Sequence, residues 1–285
     1  LEQLSPFDHV CIGHGEALIE GLLEKIRTGV ALEHVTRADE AFAIGDSKAM
    51  DFSLLDDVRA YYGGVIEVAR GCPFLCEFCD IRVMRDNNRT HAKPPALIVE
   101  ELDWYARQGV QQVLFACDNF IGDLPWAEAL VDAIIAWRER TGRSVGLYTW
   151  LTINLHRHPE LMRKMRVAGF DMLFIGIESF NTNSLLETAK IQNTTRGLID
   201  AVQGVQSYGF LVVAGLIFGF DSDDADCFDV TVRGLEDASL LSGDPSLLTA
   251  LPGTPLYRRM KLSGRLRDVR FGLGGFKYRT NIRYL

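Results

Sequence analysis

Three cysteines fall within eight residues, Cys72, Cys76 and Cys79 in the run RGCPFLCEFCD, with spacing C-x3-C-x2-C. Three thiolates on one short loop can hold three irons of a cubane iron–sulfur cluster and leave the fourth iron without a protein ligand. An open iron suits a reaction centre, whereas a closed four-ligand site mostly transfers electrons or holds structure. The competing reading is a structural zinc site, which wants four tetrahedral ligands, usually from paired knuckles such as C-x2-C. No second knuckle exists here, and His91 is the only nearby residue able to be a fourth ligand. The other cysteines, Cys11, Cys117 and Cys227, are isolated and read as small buried hydrophobes. Cys117 is the exception, because it lies at a strand end from which it could face a substrate.

The thiol loop follows directly on an apolar run, GVIEVA at 64–69, and this run starts a longer alternation. Strand-like runs are expected at 64–69, 111–116, 144–150, 171–176, 210–218 and 246–251. Helical patterns lie between them, near 96–107, 126–140, 159–168, 194–207, 224–238 and 254–262. Pro95 and Pro159 stand where first helical positions are expected, and Gly109, Gly142, Gly169 and Gly209 separate a helix from the next strand. Alternation of this kind means parallel strands with right-handed helical crossovers. Six units are fewer than the eight of a closed barrel, so the expected fold is α/β, a partial (βα)6 TIM-like barrel. In such folds the chemistry gathers at the C-terminal strand ends. These carry the cysteine loop, then Cys117-Asp118-Asn119, Thr152 and Asn154, Glu178-Ser179, Gly219-Phe220-Asp221 and Pro252-Gly253-Thr254.

The rest of the composition sets bounds. A chain of 285 residues with 47% hydrophobic content can bury one substantial core. Net charge is −8 and no Lys/Arg-rich block occurs, so no nucleic-acid partner is expected. The longest apolar stretch, 209–220, is shorter than the roughly 20 residues that cross a bilayer, so no membrane span is expected. Six cysteines, three of them crowded together, do not form a disulfide framework, and a reducing cytoplasm fits them best. The chain begins at Leu1 without an initiator methionine, and something is expected upstream. Phe7 to Glu16 reads as a strand and a Gly-rich turn, followed by a helix near 16–27 that looks like the last unit of a βα domain. Residues 28–63 read as a linker.

Taken together, these residues resemble the radical SAM superfamily, whose hallmark is C-x3-C-x2-C on the loop after the first strand. The resemblance covers about residues 60–265. It implies that Cys72, Cys76 and Cys79 bind a [4Fe–4S] cluster and that S-adenosylmethionine chelates the fourth iron. Reductive cleavage would then yield a 5′-deoxyadenosyl radical. By the same resemblance Phe78 packs near the adenine, and Glu178 and Ser179 of GIES contact the ribose or carboxylate. Gly215 and Gly219 belong to a fifth-strand G-x-I-x-G closed by Asp221, and Pro252 to the PGT-x-L-Y stretch after the sixth strand. The family's Gly-Gly-Glu after the second strand is replaced by Cys117-Asp118-Asn119, with Asp118 the candidate to bind the methionine amino group.

Each of these has an ordinary structural alternative. Glu178 could be a polar strand end, Asp118 and Asn119 turn formers, and the fifth-strand glycines a means of close packing. Arg89 and Lys93 read as a solvated loop leaving the cluster, and His156 and His158 as capping or surface residues.

A narrower resemblance is to the subgroup with a cobalamin-binding domain, whose G-E-G-E turn corresponds to Gly13-His14-Gly15-Glu16. It implies that 1–27 is the remnant of a Rossmann-like cobalamin-binding domain, 64–265 the radical SAM core and 266–285 the start of a further segment. It also implies bound cobalamin, methyl transfer to a small-molecule substrate, and an electron donor such as flavodoxin or ferredoxin. RNA methylthiolation is an alternative that the absence of a basic surface speaks against. A non-catalytic iron–sulfur or zinc-stabilised protein is another, and a carrier of that kind lacks its fourth cysteine.

Overall fold

The computed structural model describes residues 7–38, 42–84, 86–194, 197–267 and 279–284. The chain opens with β1 (Val10–Ile12), α1 (Ile19–Thr28) and β2 (Val35–Arg37), and the two strands pair in parallel. β2 lies within the stretch expected to be a linker. Short 3-10 turns at Ile44–Asp46, Phe52–Leu54 and Val58–Ala60 then lead to β3 (Gly64–Glu67). A two-stranded antiparallel ladder follows, β4 (Ala69–Arg70) with β5 (His91–Ala92), and it brackets the cysteine loop.

Helix and strand then alternate: α2 (Pro95–Arg107), β6 (Gln112–Ala116), α3 (Leu124–Thr141), β7 (Gly146–Leu151), α4 (Pro159–Ala168) and β8 (Phe170–Glu178). The series ends with α5 (Thr182–Glu187), α6 (Leu198–Gln206), β9 (Leu211–Phe218), α7 (Cys227–Asp237), β10 (Ser242–Leu247) and α8 (Pro255–Leu262). The main sheet has six strands in the order β3-β6-β7-β8-β9-β10, every neighbouring pair parallel. Sequential neighbours joined by helices make this the expected partial (βα)6 barrel, open between its edge strands.

Strands buried on both faces are apolar along their whole length. β8 reads FDMLFIGIE, and its Phe170, Leu173, Ile175 and Ile177 are fully buried. The helices are delimited by side-chain caps and glycine stops. Asp123 accepts the Trp126 N–H at 3.1 Å at the start of α3, and Gly142 ends it with φ 67°. The main core, built around Trp137, Phe115, Phe120 and Phe170, fills the space between sheet and helices, and a smaller cluster of Phe220, Leu248, Leu256, Met260 and Ile282 packs beside it under α8.

Three expectations need correction. The last strand is Ser242–Leu247 rather than 246–251; it pairs only with β9, and as an edge strand it tolerates Pro245. The six-residue α5 was not expected, and the helix expected over 194–207 is confined to Leu198–Gln206. Lys93 is not on a solvated loop: it is buried and paired with Glu101 at 3.1 Å.

Of the last stretch, residues 268–278 and 285 lie outside the described residues. Residues 279–284 return to the barrel, where Asn281 exchanges two hydrogen bonds with Ala250, at 2.9 and 2.8 Å. Among the described residues no helix is long and apolar enough to cross a membrane.

Candidate active site

The cysteine loop leaves the sheet through a glycine that nothing else could replace. Gly71 has φ 87°, and a Cβ there would lie 2.0 Å from the Arg89 carbonyl oxygen. Its N–H donates to Asp118 Oδ2 at 2.6 Å, and the next N–H, of Cys72, donates to the Asn87 carbonyl at 3.0 Å. Asp118, at the end of β6, therefore fixes the point where the thiol loop begins. Burial pushes its carboxyl above the usual aspartate range, partly offset by the Gly71 N–H.

Between the second and third cysteines, Glu77 is held on three sides. Its N–H donates to the Thr188 carbonyl at 2.8 Å, its own carbonyl accepts the Leu256 N–H at 3.2 Å, and its carboxylate receives Arg259 from α8 at 2.8 Å. Arg259 also reaches Asp221 at 3.0 Å, and Arg265 pairs with Asp221 at 2.6 Å. The loop is thus tied to the end of β6 through Asp118, to the C-terminus of α5 through Thr188, and to the final helix, whose Arg259 also reaches Asp221 after β9. Phe78 packs toward Phe220, with ring centroids 6.5 Å apart, and keeps one side partly exposed.

All three thiols are free; Cys76 is buried, and Cys72 and Cys79 are partly so. Asn119 Nδ2 stands 3.8 Å from Cys72 Sγ, and Gln192 Nε2 stands 3.5 Å from Cys76 Sγ. Burial pushes the Cys72 thiol up, and that of Cys79 up to about 11. A bound metal overrides this, because a coordinating thiol is deprotonated outright. Three thiols of one loop, two of them facing amide donors, suit a cubane cluster with three protein ligands. They suit zinc less well. Among the described residues no three His, Cys, Asp or Glu side chains gather around a single-ion site. His91 is engaged elsewhere, with Nε2 2.8 Å from the Asp86 carbonyl.

The fourth strand end carries a residue held in the left-handed region. Glu178 is buried with φ 66°, beside a register shift at Gly176, and its carboxylate meets Lys190 Nζ at 2.7 Å. Burial opposes the charge of Lys190, yet Glu178 and the Cys76 and Cys79 sulfurs together hold it above the ordinary lysine range. Ser179 is buried, and its hydroxyl accepts the Asn181 N–H at 3.0 Å.

The other expected site residues are placed as follows. The space a Cβ would take at Gly215 is filled by the Phe174 ring at 2.9 Å, and at Gly219 by Tyr284 at 2.5 Å. Pro252 is exposed, and the adjoining Gly253, with φ 89°, lies against Val83 just beyond the thiol loop. Cys117 does not face the mouth: it is buried in the main core, its Sγ 3.4 Å from Thr149 Oγ1, and burial pushes its thiol up to about 12. Arg89 is exposed and paired with Asp86, and His156 bonds the Ile153 carbonyl through Nδ1 at 2.8 Å. Lys190 and Gln192 carried no signal in the sequence. Their only marker is that they follow the GIES strand end within 14 residues.

An open cleft of about 630 Å³ adjoins the thiol loop, lined by Pro73, Phe74, Thr90, Ile121, Gly122 and Asn154. A larger one, about 840 Å³, lies near Ile199, Val230 and Arg233 and includes no residue of the thiol loop. The smaller cleft is the one beside the site, because Pro73 and Phe74 of the thiol loop line it.

A partial parallel barrel with a three-thiol loop after its first strand defines an iron–sulfur enzyme domain. The chain belongs to the Radical SAM superfamily, whose profile matches residues 66–235. That membership carries the superfamily's two cofactors, a [4Fe–4S] cluster and S-adenosylmethionine.

Among curated proteins, the hopanoid C-2 methylase of Rhodopseudomonas palustris is 31% identical over 91% of this chain and 50% of its own length. An uncharacterized methyltransferase of Synechocystis is 32% identical over 92% and 48% respectively. The chain therefore spans about half the length of the curated relatives it matches. Among solved structures, the cobalamin-dependent S-adenosylmethionine radical enzyme OxsB with aqua-cobalamin bound aligns with a TM-score of 0.71. That alignment covers 94% of this chain and 48% of OxsB at 16% identity. The methyltransferase TsrM from Kitasatospora setae aligns at 0.63 over 74% and 42%, at 18% identity. At these identities the likeness is one of fold.

Proposed function

We propose that this chain is the radical core of a methyltransferase that acts on an unactivated carbon of a small molecule. In this reading cobalamin is bound by the part of the protein that precedes the barrel. The observation that carries the reading is the set of three free thiols on the loop after β3, with Cys117 turned away to Thr149. The methylase and methyltransferase names of the relatives that span nine-tenths of this chain direct it toward methyl transfer.

When bound and reduced, the cluster supplies the electron that cleaves the sulfonium of S-adenosylmethionine, and with it radical chemistry. The chain's own residues bind and orient. Cys72, Cys76 and Cys79 ligate the cluster, Asp118 fixes the start of the loop, and the Glu77–Arg259 pair fixes it between the second and third cysteines. Phe78 offers its open side to the adenine, and the free oxygen of Asp118 can take the methionine amino group. Glu178 and Ser179 line the fourth strand end, and Lys190 offsets negative charge beside the thiolates. Asn119, Gly215, Gly219 and Pro252 shape the surrounding rim. An external donor of the flavodoxin or ferredoxin kind delivers the electron.

The test is anaerobic reconstitution with iron and sulfide, followed by reduction and addition of S-adenosylmethionine. The expected products are 5′-deoxyadenosine and, with aqua-cobalamin and substrate present, S-adenosylhomocysteine. Alanine at any one of the three cysteines abolishes cleavage, whereas Cys117→Ala keeps the cluster. Zinc co-purifying in place of an iron–sulfur chromophore would overturn the assignment.

A further inference from the structure

Two buried carboxamides each touch a different thiol of the loop, and cluster ligation does not require either of them. Asn119, at the end of β6, is 1% exposed, and its Oδ1 accepts the Ile121 N–H at 3.3 Å. That bond orients the amide so that Nδ2 faces Thr152 Oγ1 at 3.5 Å and Cys72 Sγ at 3.8 Å. Gln192, on the 3-10 turn Ile191–Asn193, is 8% exposed and directs Nε2 at Cys76 Sγ, 3.5 Å away. Among the described residues its buried Oε1 has no hydrogen-bond partner. A buried amide with an unpaired oxygen costs stability, so packing gives no reason to place a glutamine here. Its N–H toward sulfur does.

We infer that Asn119 and Gln192 are positioning residues that set the reduction potential of the cluster by donating N–H to the sulfurs of Cys72 and Cys76. This rests on the cluster reading above. Hydrogen bonds to cluster sulfurs are one of the protein's levers on potential. Reduction adds one electron to the cluster, and donors that draw charge from the thiolates favour the electron-richer form, so they raise the potential. A carboxamide suits the task, because a carboxylate in its place would repel the added electron and compete for iron. Among the described residues the side-chain amides that reach the loop thiols go to Cys72 and Cys76, and none goes to Cys79. The three ligands are therefore unequal, and the inequality predicts which substitutions move the potential.

The experiment is an EPR-monitored redox titration of the reconstituted chain beside Asn119→Leu and Gln192→Met, with iron and sulfide quantified in each. Each substitution is expected to shift the reduction equilibrium about tenfold toward the oxidised cluster, about 59 mV for a one-electron couple. The double variant is expected to shift further, at unchanged iron content. Potentials equal to that of the unsubstituted chain, with full iron content, would overturn the inference and leave the cluster assignment standing. No cluster in the unsubstituted chain would overturn the functional reading instead. Should a variant fail to load, side-chain 15N-labelled asparagine and glutamine in the unsubstituted, reduced protein give the same answer. Hyperfine coupling from two amide nitrogens supports the inference, and its absence refutes it.

Discussion

Among the described residues two lysine–glutamate pairs are buried, and they differ in everything except their chemistry. Lys93 and Glu101 join β5 to α2, with side chains 5% and 1% exposed, and Nζ meets both carboxylate oxygens at 3.1 and 3.3 Å. Glu101 also accepts the Met50 N–H at 3.0 Å, so the pair pins the segment ahead of the barrel to the barrel wall. Lys190 and Glu178, 7% and 10% exposed, meet through one oxygen at 2.7 Å. There the glutamate has a positive φ, and the charge of the lysine is supported by the Cys76 and Cys79 sulfurs as well as by Glu178. Non-glycine residues held in such backbone conformations cost about 1–3 kcal/mol each and collect at functional sites. The first pair needs no strain to form; the second keeps its strain next to the thiol loop. Burial of an ion pair alone therefore does not mark a site. Strain and shared electrostatic partners do.

The largest expected effect tests the structural pair. Lys93→Met leaves Glu101 charged and unpaired in the interior, and the unfolding free energy should fall by about 3–5 kcal/mol in chemical denaturation. Replacing both partners, Lys93→Met with Glu101→Leu, should recover all but the Met50 hydrogen bond, about 1 kcal/mol. Next in size is Glu178→Gln. In the cluster-free protein it should cost about as much as a broken buried pair, about 3 kcal/mol. In the loaded protein it should cost less, because a three-thiolate cluster keeps Lys190 company. Equal costs with and without the cluster would erase the distinction between the pairs. Gly176→Ala is a milder probe. Its Cβ would come 2.5 Å from Glu178 Oε1 and 3.1 Å from Lys190 Nζ, and crowding of this kind costs about 1–3 kcal/mol. Stability measured with and without the cluster should show the same asymmetry, and Lys93 should be indifferent to it.

The same contrast explains what could be read from the sequence. Cys72, Cys76 and Cys79 were legible because their chemistry depends on residue type and spacing within a single loop. Strands β6, β8 and β9 were legible because burial on both faces demands apolar runs. The edge strand β3 and the alternating β7 were legible from their apolar and aromatic residues, although Val65 and Trp150 are exposed. β10 was misplaced because SGDPSL, an edge strand with few apolar residues and little burial, carries no such signal, whereas the LLTAL stretch at its end does. Gln192 and Arg259 were invisible because their partners lie far away in the chain, and Lys190 because nothing in the sequence marks its pairing with Glu178, 12 residues before it. Gln192 reaches Cys76 across 116 residues and Arg259 reaches Glu77 across 182. Cys117 illustrates the opposite error. Its place at a strand end suggested the rim, but the side chain points into the core.

A third ion network tests the comparison in a partly solvated setting and gives its smallest effect. Asp221 is shared between Arg265 at 2.6 Å and Arg259 at 3.0 Å, with side-chain exposures of 22%, 12% and 36%. Hydrogen bonding and charge from Arg265, reinforced by Arg259, hold its carboxyl below the usual aspartate range despite partial burial. A depressed acid contributes stability that is present above its unfolded pKa and lost as pH falls through the folded value, because the unfolded state binds the proton first. Acidification from neutral pH into and below the ordinary aspartate range should therefore lower the melting temperature, and Asp221→Asn should flatten the curve in that window. At neutral pH the substitution should cost only about 1 kcal/mol, as expected for a solvent-screened pair. The readout that ties the network to the site is hydrogen exchange at the Glu77 amide. If Arg259 clamps the thiol loop, losing Asp221 should leave its 2.8 Å contact with Glu77 in place and protection there unchanged, whereas Arg259→Gln should remove it. Loss of Glu77 protection in Asp221→Asn would mean that loop and last helix are held as one cooperative network, not by the Glu77–Arg259 pair alone.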